Sequence, residues 1–519
     1  MKNRKFTRVA IAAAVFAAAV FQMQGCSGRV NTKEGDISSE SGEVQQGEAG
    51  STEGQQGEDG KEGSAGSDGT ASGQFSEESE PFSYPKESDE EKNTAEKEPE
   101  GISPIDGVKI AIGTDIHYLA EEYTDYGEAF QHMVDYGDGR LVTYIDQITD
   151  EFLQEVIEEE PEALIISGDI TSNGEKRSHE VMAEKLRKVE ETGITVLVIP
   201  GNHDINNHSA KGFQDNETYP VEYTSPEQFE EIYGEFGYDE AASRDENSLS
   251  YVYQLDENIR ILMLDTCQYK DGYAKVGGAI MTETYDWIEE QLEDAWNNDM
   301  YVIPVAHHNL LDESEVYVAD CTIEHSRQLI DILDGWEISL FLSGHLHVQH
   351  MMEEEGFTYP IREIVTGSLT TPRCHYGILT YQDNENYDYQ AKQVNMERWA
   401  RDNHSTIMDL LEFDAFGEPF LRRVFSNQAD AVLKKLPEIT EEERKKMCRF
   451  YAGLNDYYYQ GKAIEIKDEA LENEAFTLWQ EKAYETVLNE YILYILEDAK
   501  QDYNCLYVRE GETVYLTEN

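Results

Sequence analysis

Positive charge is scarce in this chain: 41 Lys and Arg stand against 106 Asp and Glu among 519 residues, a formal net charge of −65. Such a surface repels nucleic acid backbones and anionic membranes. It argues against a DNA or RNA reader and suits a soluble acidic enzyme acting on small molecules. Cysteine is sparse as well. Cys26, Cys267, Cys321, Cys374, Cys448 and Cys505 include no C-x-x-C pair, which points to neither a zinc knuckle nor a disulfide scaffold and leaves any pairing open. Between Ser27 and Glu100 large apolar residues are nearly missing, and Gly, Ser, Glu, Gln and Asp prevail. That composition cannot bury enough surface to offset chain entropy, so residues 27–100 are expected to form a disordered, self-repelling tether.

Long apolar runs are missing too, apart from Val9 to Phe21, which follows Lys2, Arg4, Lys5 and Arg8. The run is too short for an ordinary membrane-spanning helix and has the length of a signal-peptide core. Met23-Gln24-Gly25-Cys26 resembles a bacterial lipoprotein cleavage box. Residues 1–26 are therefore expected to be a lipoprotein leader. Lipid on Cys26 would hold the mature chain to the outer face of the cytoplasmic membrane.

What is present begins near Val108. Val108–Thr114, Ala163–Ile166 and Val196–Ile199 read as buried strands, with helical periodicity over Leu141–Glu159 and Glu175–Glu191 between them. This β-α-β-α-β order predicts parallel neighbours with right-handed crossovers. Residues 205–247 read as an irregular, Tyr-rich insertion. Further strands are predicted over 250–255, 259–265, 301–306, 338–343, 361–366, 377–381 and 387–394, and helices over 282–296 and 323–336. The folded chain thus divides into an α/β domain over 101–396 and a helical region over 397–519. In the latter, Thr440-x-x-Glu443 opens one helix as a capping box. Phe476, Trp479, Ala483, Val487, Tyr491 and Ile495 mark the apolar side of one long helix, and Tyr457-Tyr458-Tyr459 is expected to be helix core.

Five polar clusters follow five predicted strands: Asp115/His117, Asp169, Asn202/His203, His307/His308 and His345/His347. Strand ends in an open sheet converge on one rim, so clusters far apart in sequence can meet there. All the donors are oxygen or imidazole.

The ordered set D-x-H, G-D, G-N-H-D, H and G-H-x-H resembles the calcineurin-like metallophosphoesterase family over roughly Val108 to Val394. The resemblance implies a two-layer β sandwich flanked by helices with a dinuclear metal centre at its rim. It implies that Asp115, His117 and His347 ligate one metal, that Asn202, His307 and His345 ligate the other, and that Asp169 bridges them. The metals would be two divalent ions from among Mn, Fe, Zn, Co and Ni, and such ions about 3.5–4 Å apart could share a hydroxide, lower its pKa and aim it at phosphorus. His307 is favoured over His308 because the family's ligand opens its doublet, although Asn309 departs from the Pro often found there. His203 would protonate the leaving alkoxide and Asp204 would orient its ring. Ser172-Asn173-Gly174 and Pro200 differ from the acid phosphatase and protein phosphatase patterns. The set looks more like the cyclic-nucleotide and glycerophosphodiester phosphodiesterase branch. The expected activity is metal-dependent phosphate ester hydrolysis, of diesters more than monoesters, on a small-molecule or cell-envelope substrate at the outer cell surface. The alternative is a non-catalytic, membrane-tethered binding protein on the same fold. Arg373 is a candidate phosphate contact, His350 and His375 are candidates to face substrate, and Asp265 and Thr266 are expected to cap a turn.

Overall fold

The structure, a computed structural model, describes Phe82 and residues 102–314, 316, 318–355 and 360–514. The predicted leader, Cys26 and, apart from Phe82, the acidic tether lie outside the described residues.

Short apolar runs stopped by Gly, Ser or Pro form the strands that matter most: β1 (Val108–Gly113), β2 (Ala163–Ser167) and β3 (Thr195–Ile199). The 205–247 insertion is more ordered than expected. It holds β4 (Lys211–Gln214), β5 (Glu217–Pro220) and a helix, Pro226–Tyr233, opened by a Ser225/Gln228 capping box. After that helix come β6 (Ser243–Arg244), β7 (Tyr251–Gln254), β8 (Ile259–Leu264), β9 (Tyr301–Ala306), β10 (Leu340–Ser343), β11 (His350–Glu354) and β12 (Ile361–Val365). β13 (His375–Asp383) and β14 (Asn386–Gln393) precede the helical region, and β15 (Cys505–Arg509) and β16 (Glu512–Thr513) follow it.

Two seven-stranded sheets result, in the orders β16-β15-β14-β13-β1-β2-β3 and β11-β12-β10-β9-β8-β7-β6. β1, β2 and β3 are parallel, with Ile112 beside Ile165 and Ile165 beside Leu197. Period-two alternation sorts the second sheet. Ile261, Met263, Ile303, Val305 and Leu342 join the core shared with the first sheet. Leu262, Leu264, Val302 and Phe341 pack instead with Ile288, Leu292, Leu329 and Leu333 of helices Thr282–Asn297 and Ser326–Gly335. Helices Ile145–Glu159 and Lys176–Glu190 connect the three parallel strands. The architecture is a mixed α/β sandwich flanked by helices, as expected.

Residues from Met396 to Asp498 are helical and enclose their own core of Met447, Tyr451, Leu454, Trp479 and Ile492, with Tyr457 and Tyr458 buried in it. Thr440 and Glu443 form the predicted capping box. Two details differ from the sequence reading. The expected long helix is broken into Glu474–Lys482 and Val487–Asp498, because Thr486 caps the second piece by accepting from Asn489 N. The chain then returns to the first sheet, where β15 pairs antiparallel with β14. Among the described residues all five cysteines are free, and no helix is long and apolar enough to cross a membrane.

Candidate metal centre

Parallel register delivers the chain beyond β1, β2 and β3 to one rim, because Gly113 lies beside Ile166 and Ser167 beside Ile199. β9 and β10 end at the facing edge of the second sheet. Hydrogen bonds then stitch the ends together. His117 N donates to the Asp169 carbonyl (2.9 Å), His345 N donates to Asp115 Oδ2 (2.9 Å), and His307 Nδ1 donates to the Ser167 carbonyl (3.0 Å). The last two bonds cross from one sheet to the other.

Asp115, His117, Asp169, His345 and His347 all have φ between 47° and 73°. Left-handed backbone at residues other than Gly costs on the order of 1 kcal/mol or more each and persists where the surroundings over-determine it. Two glycines admit the close approach. A Cβ on Gly201 would lie 2.2 Å from Asp169 Oδ1, and one on Gly168 would lie 2.6 Å from His307 Nδ1.

Two groups of donors face each other. In one, the Nε2 atoms of His117 and His347 are 3.0 Å apart, and Asp115 Oδ1 is 3.3 Å from that of His347 and 3.8 Å from that of His117. Thr114 Oγ1 and His345 N both donate to Asp115 Oδ2, but the buried Oδ1 accepts no hydrogen bond. In the other, His307 Nε2 is 3.2 Å from both Asn202 Oδ1 and His345 Nδ1 and 3.4 Å from Asp169 Oδ2. That same Asp169 oxygen is 3.6 Å from His117 Nε2, so it stands between the groups. His307 Nδ1 and His345 Nε2 each donate to a carbonyl, of Ser167 and Asp320, which turns the remaining ring nitrogens toward each other. Three overlapping sets, Asp115/His117/His347, Asp169/His307/His345 and His117/Asp169/His203, have donor atoms within 4.8 Å of one another. Oxygen and imidazole donors around an orphaned, buried carboxylate oxygen fit divalent cations.

Electrostatics agree with that fit. Burial opposes ionisation of Asp169, yet the His307 and His203 rings hold its carboxyl well below the usual range. Burial likewise works against a charge on His307, but Asp169 reverses it and pushes His307 up to about 9. Burial and the His307 charge lower His345 to about 4. The site attracts positive charge but distributes it unevenly among its own rings.

Residues 108–349 match the calcineurin-like phosphoesterase family, and residues 395–502 match the C-terminal domain of cyclic nucleotide phosphodiesterase. The chain carries a calcineurin-like phosphoesterase domain. A glycerophosphodiester phosphodiesterase, GpdQ, of Enterobacter lignolyticus is 23% identical over 57% of this chain and 90% of its own length. A probable GpdQ of Arcobacter nitrofigilis is 28% identical over 36% of this chain and 57% of its own. Among solved structures, a dimetal phosphatase from Danio rerio covers 56% of the chain and 97% of its own, at 12% identity and a TM-score of 0.40. The protein is a metal-dependent phosphoric ester hydrolase.

In this phosphoesterase His307 faces Asp169, while His308 is turned away. His308 Nε2 donates to the Val276 carbonyl (2.9 Å) and its Nδ1 accepts from Thr266 Oγ1 (2.8 Å). His203 stands edge-on to His117, and its Nδ1 donates to the Ser172 carbonyl (2.7 Å). That bond corrects the expectation that Asp204 orients the ring. The Asp204 carboxylate points the other way, accepting from Ile170 N, Thr171 N, Thr171 Oγ1 and Gly201 N. Arg373 lies within 3.8 Å of both Asp414 and Glu418 of the helical region. His350 is held between Glu313 and Asp498, and His375 is buried with no hydrogen bond to Nε2. Asp265 caps its turn as expected, accepting from Leu249 N and Cys267 N.

Sequence reasoning missed Asp138 and Arg140. Arg140 is buried, its Nε donates to Asp138 Oδ1 (2.7 Å), and burial of His117 and His203 works against their protonation, with the Arg140 charge adding to the effect. A basic residue just after a glycine-flanked aspartate, Gly137-Asp138-Gly139-Arg140, was the available signal in a chain so short of bases.

Proposed function

We propose that the chain hydrolyses phosphodiesters with two divalent cations, one held by Asp115, His117 and His347, the other by Asn202, His307 and His345. Asp169 is shared. The observation that carries this reading is the single Asp169 oxygen lying 3.4 Å from His307 Nε2 and 3.6 Å from His117 Nε2. A bridging carboxylate is the natural group to hold two like charges together. When bound, such cations supply charge to the phosphoryl oxygens and lower the pKa of an attacking water. The chain's own part in proton transfer falls to His203. With Nδ1–H committed to the Ser172 carbonyl, Nε2 is the atom left to give a proton to the departing alkoxide. The diester preference is supported by the GpdQ relatives and by Ser172-Asn173-Gly174 in place of acid- and protein-phosphatase residues.

The deciding experiment is a panel of phosphomonoesters and phosphodiesters assayed with Mn, Fe, Zn, Co or Ni, beside Asp169→Asn. The reading expects diester turnover exceeding monoester turnover, about two metals bound per chain, and loss of both in the variant. Full turnover by Asp169→Asn would overturn it. We further propose that the chain acts at the outer cell surface through lipid on Cys26. The basic Lys2–Arg8 segment, the Val9–Phe21 run and Gly25-Cys26 support this. Cys26→Ser should abolish lipid labelling, and labelling that persists would sink the idea.

A further inference from the structure

One junction between the phosphoesterase sandwich and the helical region is made of ionisable groups. His350 opens β11 three residues after His347. Its Nδ1 is bonded to a Glu313 carboxylate oxygen, and its Nε2 lies 2.8 Å from Asp498 Oδ2. Glu313 is six residues past His307, and Asp498 ends the helix Val487–Asp498. All three are buried, at 0%, 1% and 7% exposure for Glu313, His350 and Asp498. Replacing such a buried ionic cluster by apolar groups is often neutral or stabilising, so stability alone is a weak reason to find one here.

What the cluster joins is more informative. The segment after β9 and the segment after β10 are already coupled at their near ends. Gly344 N donates to the His307 carbonyl (3.1 Å), and Asn309 Nδ2 donates to Ser343 Oγ (3.0 Å) and the Gly344 carbonyl (3.1 Å). Glu363 of β12 then accepts from Leu310 N (2.9 Å), Leu311 N (2.6 Å) and Ser343 Oγ (2.5 Å). Glu313 and His350 couple the far ends of the same two segments, and Asp498 fixes that pair from the helical region. Other bonds from the helical region and the turn after it land on the same spot. Tyr494 Oη donates to the Glu313 carbonyl, Gln349 N donates to the Tyr459 carbonyl (3.2 Å), and Gln349 Nε2 donates to the Tyr503 carbonyl (3.0 Å). Tyr503 Oη donates to the Asp498 carbonyl (2.7 Å). Between those anchors lie His345 and His347, at φ 73° and 60°. Residues in such conformations need restraint from outside their own segment.

We infer that the helical region positions the metal centre, acting through Asp498 and His350 on the segments that carry His307, His345 and His347. This rests on the reading of those three histidines as ligands. Asp498 and His350 are positioning residues, since neither is among the donor groups that face one another at the rim.

The test uses the full chain with Asp498→Asn and His350→Gln. Mn²⁺ alone is titrated into metal-stripped protein by calorimetry, and hydrogen exchange is followed over 307–314 and 343–350. Both variants should bind Mn²⁺ at least tenfold more weakly and exchange faster in both segments. Asp498→Asn should regain most of its kcat in excess Mn²⁺, with KM little changed. Thr440→Ala, which removes a helix cap far from the junction, controls for general loss of stability. It should lower Tm and leave Mn²⁺ affinity alone. Wild-type affinity and exchange in Asp498→Asn would overturn the inference, as would an equal loss of affinity in Thr440→Ala. If His350→Gln fails to fold, Asp498→Asn carries the test, because its side chain keeps its volume. Failure of the ligand reading looks different: His307→Ala would then retain full Mn²⁺ binding, whatever the junction variants do.

Discussion

Nε2 of His117 and Nε2 of His347 stand 3.0 Å apart, beside an Asp115 oxygen that is buried and accepts no hydrogen bond. One N–H can bridge the two rings, but it leaves Asp115 Oδ1 unsatisfied. A buried polar atom without a partner costs on the order of 1–3 kcal/mol. A cation satisfies all three atoms at once. Removing metal with a chelator should therefore lower Tm, and at a thousandfold excess of metal over its Kd the linkage amounts to about 4 kcal/mol. Differential scanning calorimetry with and without chelator measures it, and an unchanged Tm would count against a metal at this position.

His203→Ala should keep its metal and lose about 10²–10⁴ in kcat, the usual contribution of a positioned acid or base. The loss should be steep for alkyl phosphodiesters, whose alkoxides need a proton, and slight for a nitrophenyl leaving group, which departs unaided. Steady-state kinetics on the two substrate classes read the difference. An equal loss on both would assign His203 to the metal or to substrate binding instead.

Asp204→Ala should act on stability. Its carboxylate caps three backbone N–H groups, on Ile170, Thr171 and Gly201, which join the segment holding Asp169 to the one holding Asn202. Losing buried acceptors of this kind costs about 2–4 kcal/mol. Urea unfolding should show it. Burial and the Asp169 charge push Asp204 up to about 7. The variant's folded fraction should turn over diesters at a rate closer to wild type than that of His203→Ala.

The junction at His350 makes a prediction about pH. Burial alone would lower this imidazole, but Glu313 and Asp498 reverse the effect and push it up to about 10. Glu363, Tyr458, Tyr494 and Tyr503 are the other titratable groups around the cluster. A raised folded-state pKa stabilises fully below the unfolded value of about 6.5, and that stabilisation is lost as pH rises through about 10. Wild-type Tm should fall across that interval more than the Tm of His350→Gln. Parallel curves would show that the ring carries no charge.

The rim was legible because each of its clusters follows an apolar run stopped by a small or polar residue, as in Ile166-Ser167-Gly168-Asp169 and Ile199-Pro200-Gly201-Asn202. Period-two and continuous apolar patterns give strand ends directly. They do not give side-chain direction, so Asp204, one residue from His203, was assigned to the ring when it serves the backbone behind it. Left-handed φ at five site residues has no signature of its own. Phe476 to Ile495 keeps a helical period across the break at Ala483–Thr486, and only the cap at Thr486 betrays it. β15 was unreadable for a different reason. Its partner β14 is more than a hundred residues earlier, with Tyr387 beside Val508, and such pairing leaves no local trace.

That pairing has a consequence for how the chain assembles. The helical region leaves the first sheet at β14 and its sequel returns to the neighbouring position at β15, so it is an insertion between adjacent strands and not a tail. Both of its ends are pinned to one sheet, which leaves it no free end on which to swing away. During synthesis β14 waits as an open edge until Cys505–Arg509 emerges, after every helix among the described residues has been made. An unpaired edge of that kind invites contact with other chains. A chain ending just before Cys505 should keep all its site residues and still be prone to aggregate.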